Sequence, residues 1–280
     1  MGPNLSTIVS TAAFSLSAIF CLPLNVAAQA ESRPQQSEHK PRIKAHDSVT
    51  VTANFTPEEI EEGKLNDIYQ SIFALQQKGD CEVAIQRFES EVLPAAEKSK
   101  FDVPRNKFLF LANRGIANCL LKQQHFQEAE QRFQKIMEYL SVWPGTDDSD
   151  YPINLRQIAT AQMGQQNWEA AEESLKKSLS VADPQIDKAL KSDFEFSRTE
   201  HAGFLRGSQA RTAAYLAIVY VREGRLADAL STAELAYQRA TQPYVPKEFF
   251  NEVVKLGSAV AQASNDEHAI RNWSTRSPKD

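Results

Sequence analysis

The sequence predicts an all-α fold, built as antiparallel helix pairs stacked side by side and closed by a C-terminal capping helix. Two observations predict it. The chain has only 10 glycines in 280 residues, about half the ~7% of average usage, and Gly is the residue that loses most freedom in a helix. From Thr56 onward the chain also reads as helix, short polar turn, helix. Apolar residues recur there at helical spacing, and small residues stand where two helices would meet closely. Pro94, Pro144, Pro184 and Pro243 punctuate the chain near the turns expected between pairs.

The N-terminal 54 residues belong to a different regime. Residues 1–30 contain no Asp, Glu, Lys or Arg, and an apolar stretch runs from Ile8 to Leu24 before the small-x-small run Ala28-Gln29-Ala30. This pattern predicts a secretory signal peptide cleaved before Glu31. An uncleaved anchor is the alternative, opposed by Ser6, Thr7, Ser10, Thr11, Ser15 and Ser17, which dilute the apolarity of the segment. Ile19 and Phe20 are too bulky for a lipobox at Cys21, and Pro3 argues against myristoylation at Gly2. Residues 31–54, rich in Gln, Ser, Pro, Lys and Arg without a helical period, read as a flexible linker.

The helical array is expected over 55–264. Thr56-Pro57-Glu58-Glu59 supplies a cap, a first-turn proline and acids at the positive end of the helix dipole. Helix pairs follow near 65–93, 110–140, 152–182 and 210–240. The clearest has Ile116, Ala117 and Leu120, then the turn Lys122-Gln123-Gln124-His125, then Phe126, Ala129, Phe133 and Ile136. Leu155, Ile158, Ala159, Ala171 and Leu175 carry the same pattern, as do Leu216, Ala217, Tyr220, Gly224 and Ala229. Ile68, Leu75, Gly79, Ala84 and Phe88 carry a weaker version. Residues 183–206 read as an insertion with a short helix around Ile186–Leu190. Phe249, Val253, Leu256 and Val260 mark a capping helix over 246–264, and 265–280 reads as a frayed polar tail.

These residues resemble the tetratricopeptide repeat, whose unit is 34 residues. The resemblance covers about residues 65–243. Two departures stand out: the alanines Ala84, Ala129, Ala171 and Ala229 are 45, 42 and 58 residues apart, and no Trp opens any unit. The resemblance implies a right-handed superhelix whose first helices line a concave groove that binds a protein or peptide. Carried over residue by residue, it places Tyr69 and Phe73 on that groove, then Arg114, Asn118 and Lys122, then Arg156 and Thr160, then Arg211, Ile218 and Arg222. Five of these are cations in an acidic chain, which implies acidic or C-terminal segments as partners. Arg114 with Asn118 is similar to half of the family's carboxylate clamp, which Gln157 and Arg211 would complete if their helices were adjacent. The alternative is that Glu and Asp from neighbouring helices or from residues 183–206 neutralise these cations as ordinary surface ion pairs. The stack also implies that the ends of the helices holding Cys81 and Cys119 approach one another. A disulfide there would contribute roughly 3–4 kcal/mol by the loop-entropy model, against the alternative of two buried thiols.

The formal net charge of −5 argues against a nucleic-acid partner. The five histidines, His39, His46, His125, His201 and His268, show no metal-ligand spacing. No nucleophile elbow, phosphate loop or dinucleotide fingerprint is present, so neither an enzyme nor a cofactor is expected. The expectation is an exported scaffold, periplasmic or secreted, touching a membrane only through its signal segment. A structural subunit of a cell-envelope assembly is the alternative.

Overall fold

The structure, a computed structural model, describes residues 55–142 and 150–276. The expected signal peptide and linker lie outside the described residues. Among those residues there is no strand, and no helix is long and apolar enough to cross a membrane. The chain divides into two compact units between Lys122 and Gln123.

The N-terminal unit starts with α1 (Pro57–Lys78). A capping box fixes its start: the Glu59 N–H donates to Thr56 Oγ1 at 3.2 Å and the Thr56 N–H donates to Glu59 Oε2 at 2.7 Å. Next come α2 (Cys81–Arg87), a π turn (Phe88–Val92) and α3 (Leu93–Glu97). Pro94 explains the π turn, because a proline lacks the N–H and crowds the preceding turn, and a widened turn accommodates both. The last helix of the unit, α4 (Asp102–Lys122), is buried along most of its length. Gly115 lets α4 approach closely, since a Cβ there would lie 2.6 Å from the Phe88 ring.

The C-terminal unit contains α5 (Phe126–Val142), α6 (Asp150–Gly164), α7 (Trp168–Leu190), a π turn (Ser197–His201), α8 (Ala202–Arg222), α9 (Leu226–Ala240), α10 (Lys247–Ser264) and α11 (Glu267–Ser274). Helix α6 packs on α5 and α7, while α8 packs on α7, α9 and α10. Its main core joins Ala159, Leu175, Ala217, Ala229, Val253 and Trp273.

One joint recurs through the chain. Gly79, Gln124, Gln166 and Gly224 have φ of 94°, 64°, 62° and 75°. Each stands two residues before the start of a following helix, at Cys81, Phe126, Trp168 and Leu226. At three of them the left-handed residue donates its N–H three residues back: Gly79 to Gln76, Gln166 to Met163, Gly224 to Val221. The next N–H donates five back: Asp80 to Leu75, Asn167 to Gln162, Arg225 to Tyr220. Carbonyls orphaned at the end of one helix are thereby satisfied. The following helix then starts identically in all four cases, with Ala84, Ala129, Ala171 and Ala229 donating to Asp80, His125, Asn167 and Arg225. All four alanines are fully buried.

Two segments differ from the expectation. Residues 183–206 are mostly helical: α7 continues through Pro184 to Leu190, and α8 starts at Ala202. The proline is tolerated because Ser180, whose carbonyl would have received the missing bond, is exposed. The tail is also ordered as far as Arg276. Asp266 accepts from the Ala269 N–H at 3.0 Å and caps α11, and Trp273 is buried against Gly257.

Candidate interaction surfaces

In the N-terminal unit the residues in question lie on α1 and α4. Tyr69 is buried, and its ring stacks on Phe73 at 5.8 Å. It also meets Phe88 and Phe108 at 5.8 and 6.2 Å. Burial pushes the Tyr69 phenol above its ordinary pKa, opposed by the charge and hydrogen bond of Arg114. Arg114 is half-buried, with its guanidinium 4.8 Å from the centre of the Phe110 ring. Asn118 and Lys122 follow at four-residue intervals on α4, and both are half-exposed. Spaced in this way, Arg114 and Asn118 share one helix face. A carboxylate there would receive the Arg fork and the Asn amide together.

Cys81 and Cys119 are also brought together in this unit, where α2 packs on α4. The expected disulfide is not formed: both are buried free thiols. They hydrogen-bond one another, which holds the Cys81 thiol down at about 7 against an ordinary 9.0, with Lys122 assisting. The same bond, then burial and the Cys81 charge, push Cys119 up.

In the C-terminal unit the cations do not form an open positive stripe. Arg156 is 1% exposed and donates from Nη1 to Ser208 Oγ at 2.8 Å and to the Ser208 carbonyl at 3.2 Å. Arg211 is also 1% exposed, and its Nη2 lies 2.6 Å from Glu252 Oε2. Its guanidinium lies over the Phe249 ring at 4.6 Å. Tyr215 donates to Glu252 Oε1 at 3.1 Å, and burial pushes its phenol up, with Glu252 adding to the shift. Arg222 is half-exposed, stacks over Trp168 at 5.5 Å, and burial lowers its pKa. Gln157 is buried and Thr160 donates to the Arg156 carbonyl at 3.0 Å. Ile218 belongs to the core.

Glu252 is the residue that sequence reasoning missed. It is carried by α10, read only as an apolar cap, and α10 packs directly on α8. Neutralisation of Arg211 by a neighbouring helix is therefore what the structure shows. Among the described residues, no group of three or more His, Cys, Asp or Glu could hold a metal ion.

The sequence profile of the tetratricopeptide repeat family matches residues 108–183. Among solved structures the chain is similar to the nearly identical TPR-like repeats of a putative kinesin light chain from Podosopora anserina, in a form carrying one Gln-to-Met substitution. It shares 16% identity and a TM-score of 0.51 with that form, covering 77% of this chain and 95% of that one. A second crystal structure of these repeats gives 15% identity, a TM-score of 0.49, and coverage of 76% and 96%. No curated protein matches the chain. At 16% identity the likeness to the first of these shows the fold alone.

Proposed function

We propose that this tetratricopeptide-repeat protein is an exported interaction module that holds the C-terminal or acidic segment of a partner polypeptide and performs no catalysis. Repeats of this fold are interaction scaffolds in general. The observation that carries the specific reading is the α4 face. Arg114 and Asn118 stand one turn apart and half-exposed, beside the stacked Tyr69–Phe73 pair that Arg114 reaches through Tyr69. A terminal carboxylate suits Arg114 and Asn118, and an apolar side chain suits the half-buried Phe73 ring. The buried cations Arg156 and Arg211 take no part in this contact and belong to the architecture of their own unit. Export rests on the charge-free apolar segment ending at Ala28-Gln29-Ala30, and a periplasmic or secreted location follows from it.

Site-specific photo-crosslinking in expressing cells tests the reading. A crosslinker at Phe73 or Asn118 is expected to trap one discrete polypeptide through its C-terminal region, and one at exposed Gln86 on α2 is not. Equal trapping at all three positions would contradict it. Recovery of the product with residues 1–30 still attached would contradict export by cleavage.

A further inference from the structure

Cys81 opens α2 and Cys119 stands one turn from the end of α4, and the packing of α2 on α4 puts their thiols in hydrogen-bonding contact. Both belong to the same compact unit, so their approach does not depend on any relation between units. The sequence between them spans α2, α3 and most of α4, so bond formation would pin two helices remote in sequence. The two residues differ in access. Cys119 is fully buried, while Cys81 retains 6% exposure and is flanked by exposed Gly79, Asp80, Glu82 and Val83.

We infer that Cys81 and Cys119 form a reversible dithiol–disulfide site, with Cys81 as the attacking sulfur and Cys119 as the resolving one. The oxidant is a small or protein disulfide of the glutathione or thiol-oxidoreductase class. The Cys81 thiolate attacks one sulfur of that disulfide, forming a mixed disulfide and expelling one thiolate. The expelled thiolate takes the Cys119 proton. Cys119 then attacks Cys81 Sγ, closing the protein disulfide and expelling the second thiolate, which takes the proton that Cys81 had released. Two protein thiols lose two electrons, and one disulfide becomes two thiols. The roles follow from position: the outer sulfur meets the oxidant, and the inner one meets only its neighbour. Lys122 on α4 favours the Cys81 thiolate, opposed by the charge of Asp80 beside it. Two thiols without a third ligand nearby among the described residues also make this pair unlike a metal site.

The test equilibrates the full chain in buffers spanning reduced to oxidised glutathione, followed by acid quenching, alkylation and non-reducing peptide mapping. The expected result is a single two-electron transition in which the Cys81 and Cys119 peptides become linked and lose two hydrogens together. Cys119→Ser is expected to accumulate a glutathione adduct at Cys81, whereas Cys81→Ser leaves Cys119 unmodified. Circular dichroism on each variant confirms that it is folded. Two results would overturn the inference. One is wild-type protein whose two thiols stay alkylatable across the whole range. The other is wild-type protein that stops at a stable Cys81 adduct. Neither depends on the variants folding.

Discussion

Arg211 and Glu252 form a part-buried ion pair between α8 and α10, with Nη2 2.6 Å from Oε2, the Arg211 side chain 1% exposed and that of Glu252 20% exposed. The geometry includes a second contact, from Arg211 Nε to Oε2 at 2.7 Å, and Tyr215 binds the other carboxylate oxygen. Removing the acid strands a buried cation, which is costlier than removing the whole pair. Glu252→Ala is expected to lose about 3 kcal/mol of unfolding free energy, with Arg211→Met/Glu252→Leu closer to wild type. Urea denaturation of the three proteins checks the order. A double variant worse than Glu252→Ala would contradict the assignment.

The recurring joint gives opposite expectations for two substitutions. Gly224 has φ of 75° with open space around its Cα, so Gly224→Ala is expected to destabilise by about 1 kcal/mol through backbone strain alone. Gln166 stands at the same place with φ of 62°. Gln166→Gly relieves strain and is expected to be neutral or stabilising by up to ~1 kcal/mol. Thermal melts of the pair read the difference in sign.

Part of this was legible in the sequence. Gly79 and Gly224 announced their turns, because glycine is the residue that accepts a left-handed backbone cheaply. The polar run Lys122-Gln123-Gln124-His125 announced a turn as well, but not the left-handed backbone at Gln124 or at Gln166, because glutamine has no such preference and only the surrounding joint imposes it. The alanines were legible because a close helix crossing demands a small residue. Burial of Arg156 and Arg211 was not, since carrying a groove over from a resemblance presumes an open face, and the partner Glu252 reaches Arg211 only through tertiary packing. Helix α11 was hidden by its polar composition; the few apolar side chains Ala269, Ile270 and Trp273 are too short a run to show a period.

That hidden helix is testable. Trp273 packs edge-on to Tyr237 at 5.7 Å, and Arg276 lies 3.9 Å from the Tyr237 ring and 4.1 Å from the Trp273 ring. Trp273→Ala is expected to cost about 3 kcal/mol and to expose α11 to hydrogen exchange. Gly257→Ala is expected to be destabilising as well, since its Cβ would lie 2.0 Å from Trp273 Cη2.

The Glu172 carboxylate supplies a pH signature. The Lys176 hydrogen bond, then Arg225, hold it below its ordinary 4.5. A carboxyl lowered in the folded state contributes fully above its unfolded pKa, and that contribution fades as pH falls through the folded value. Lys176 is 55% exposed, so the contribution is discounted for solvent screening to about 0.5 kcal/mol. Glu172→Gln is expected to lose that amount at pH 7 and to match wild type at strongly acidic pH. Stability measured across that range, with added salt shrinking the gap, checks the sign.

Binding of one acidic peptide in two forms, free C-terminal carboxylate and C-terminal amide, tests the central claim most directly. Fluorescence polarisation would be read with wild type, Arg114→Ala and Asn118→Ala. The account predicts that the carboxylate form binds wild type and weakens by about 10- to 100-fold with Arg114→Ala, the range for one lost charge-assisted hydrogen-bonding group. It also predicts that the amide form is weak throughout and that salt weakens the carboxylate form. Equal affinity for both peptides, unchanged by Arg114→Ala, would contradict it.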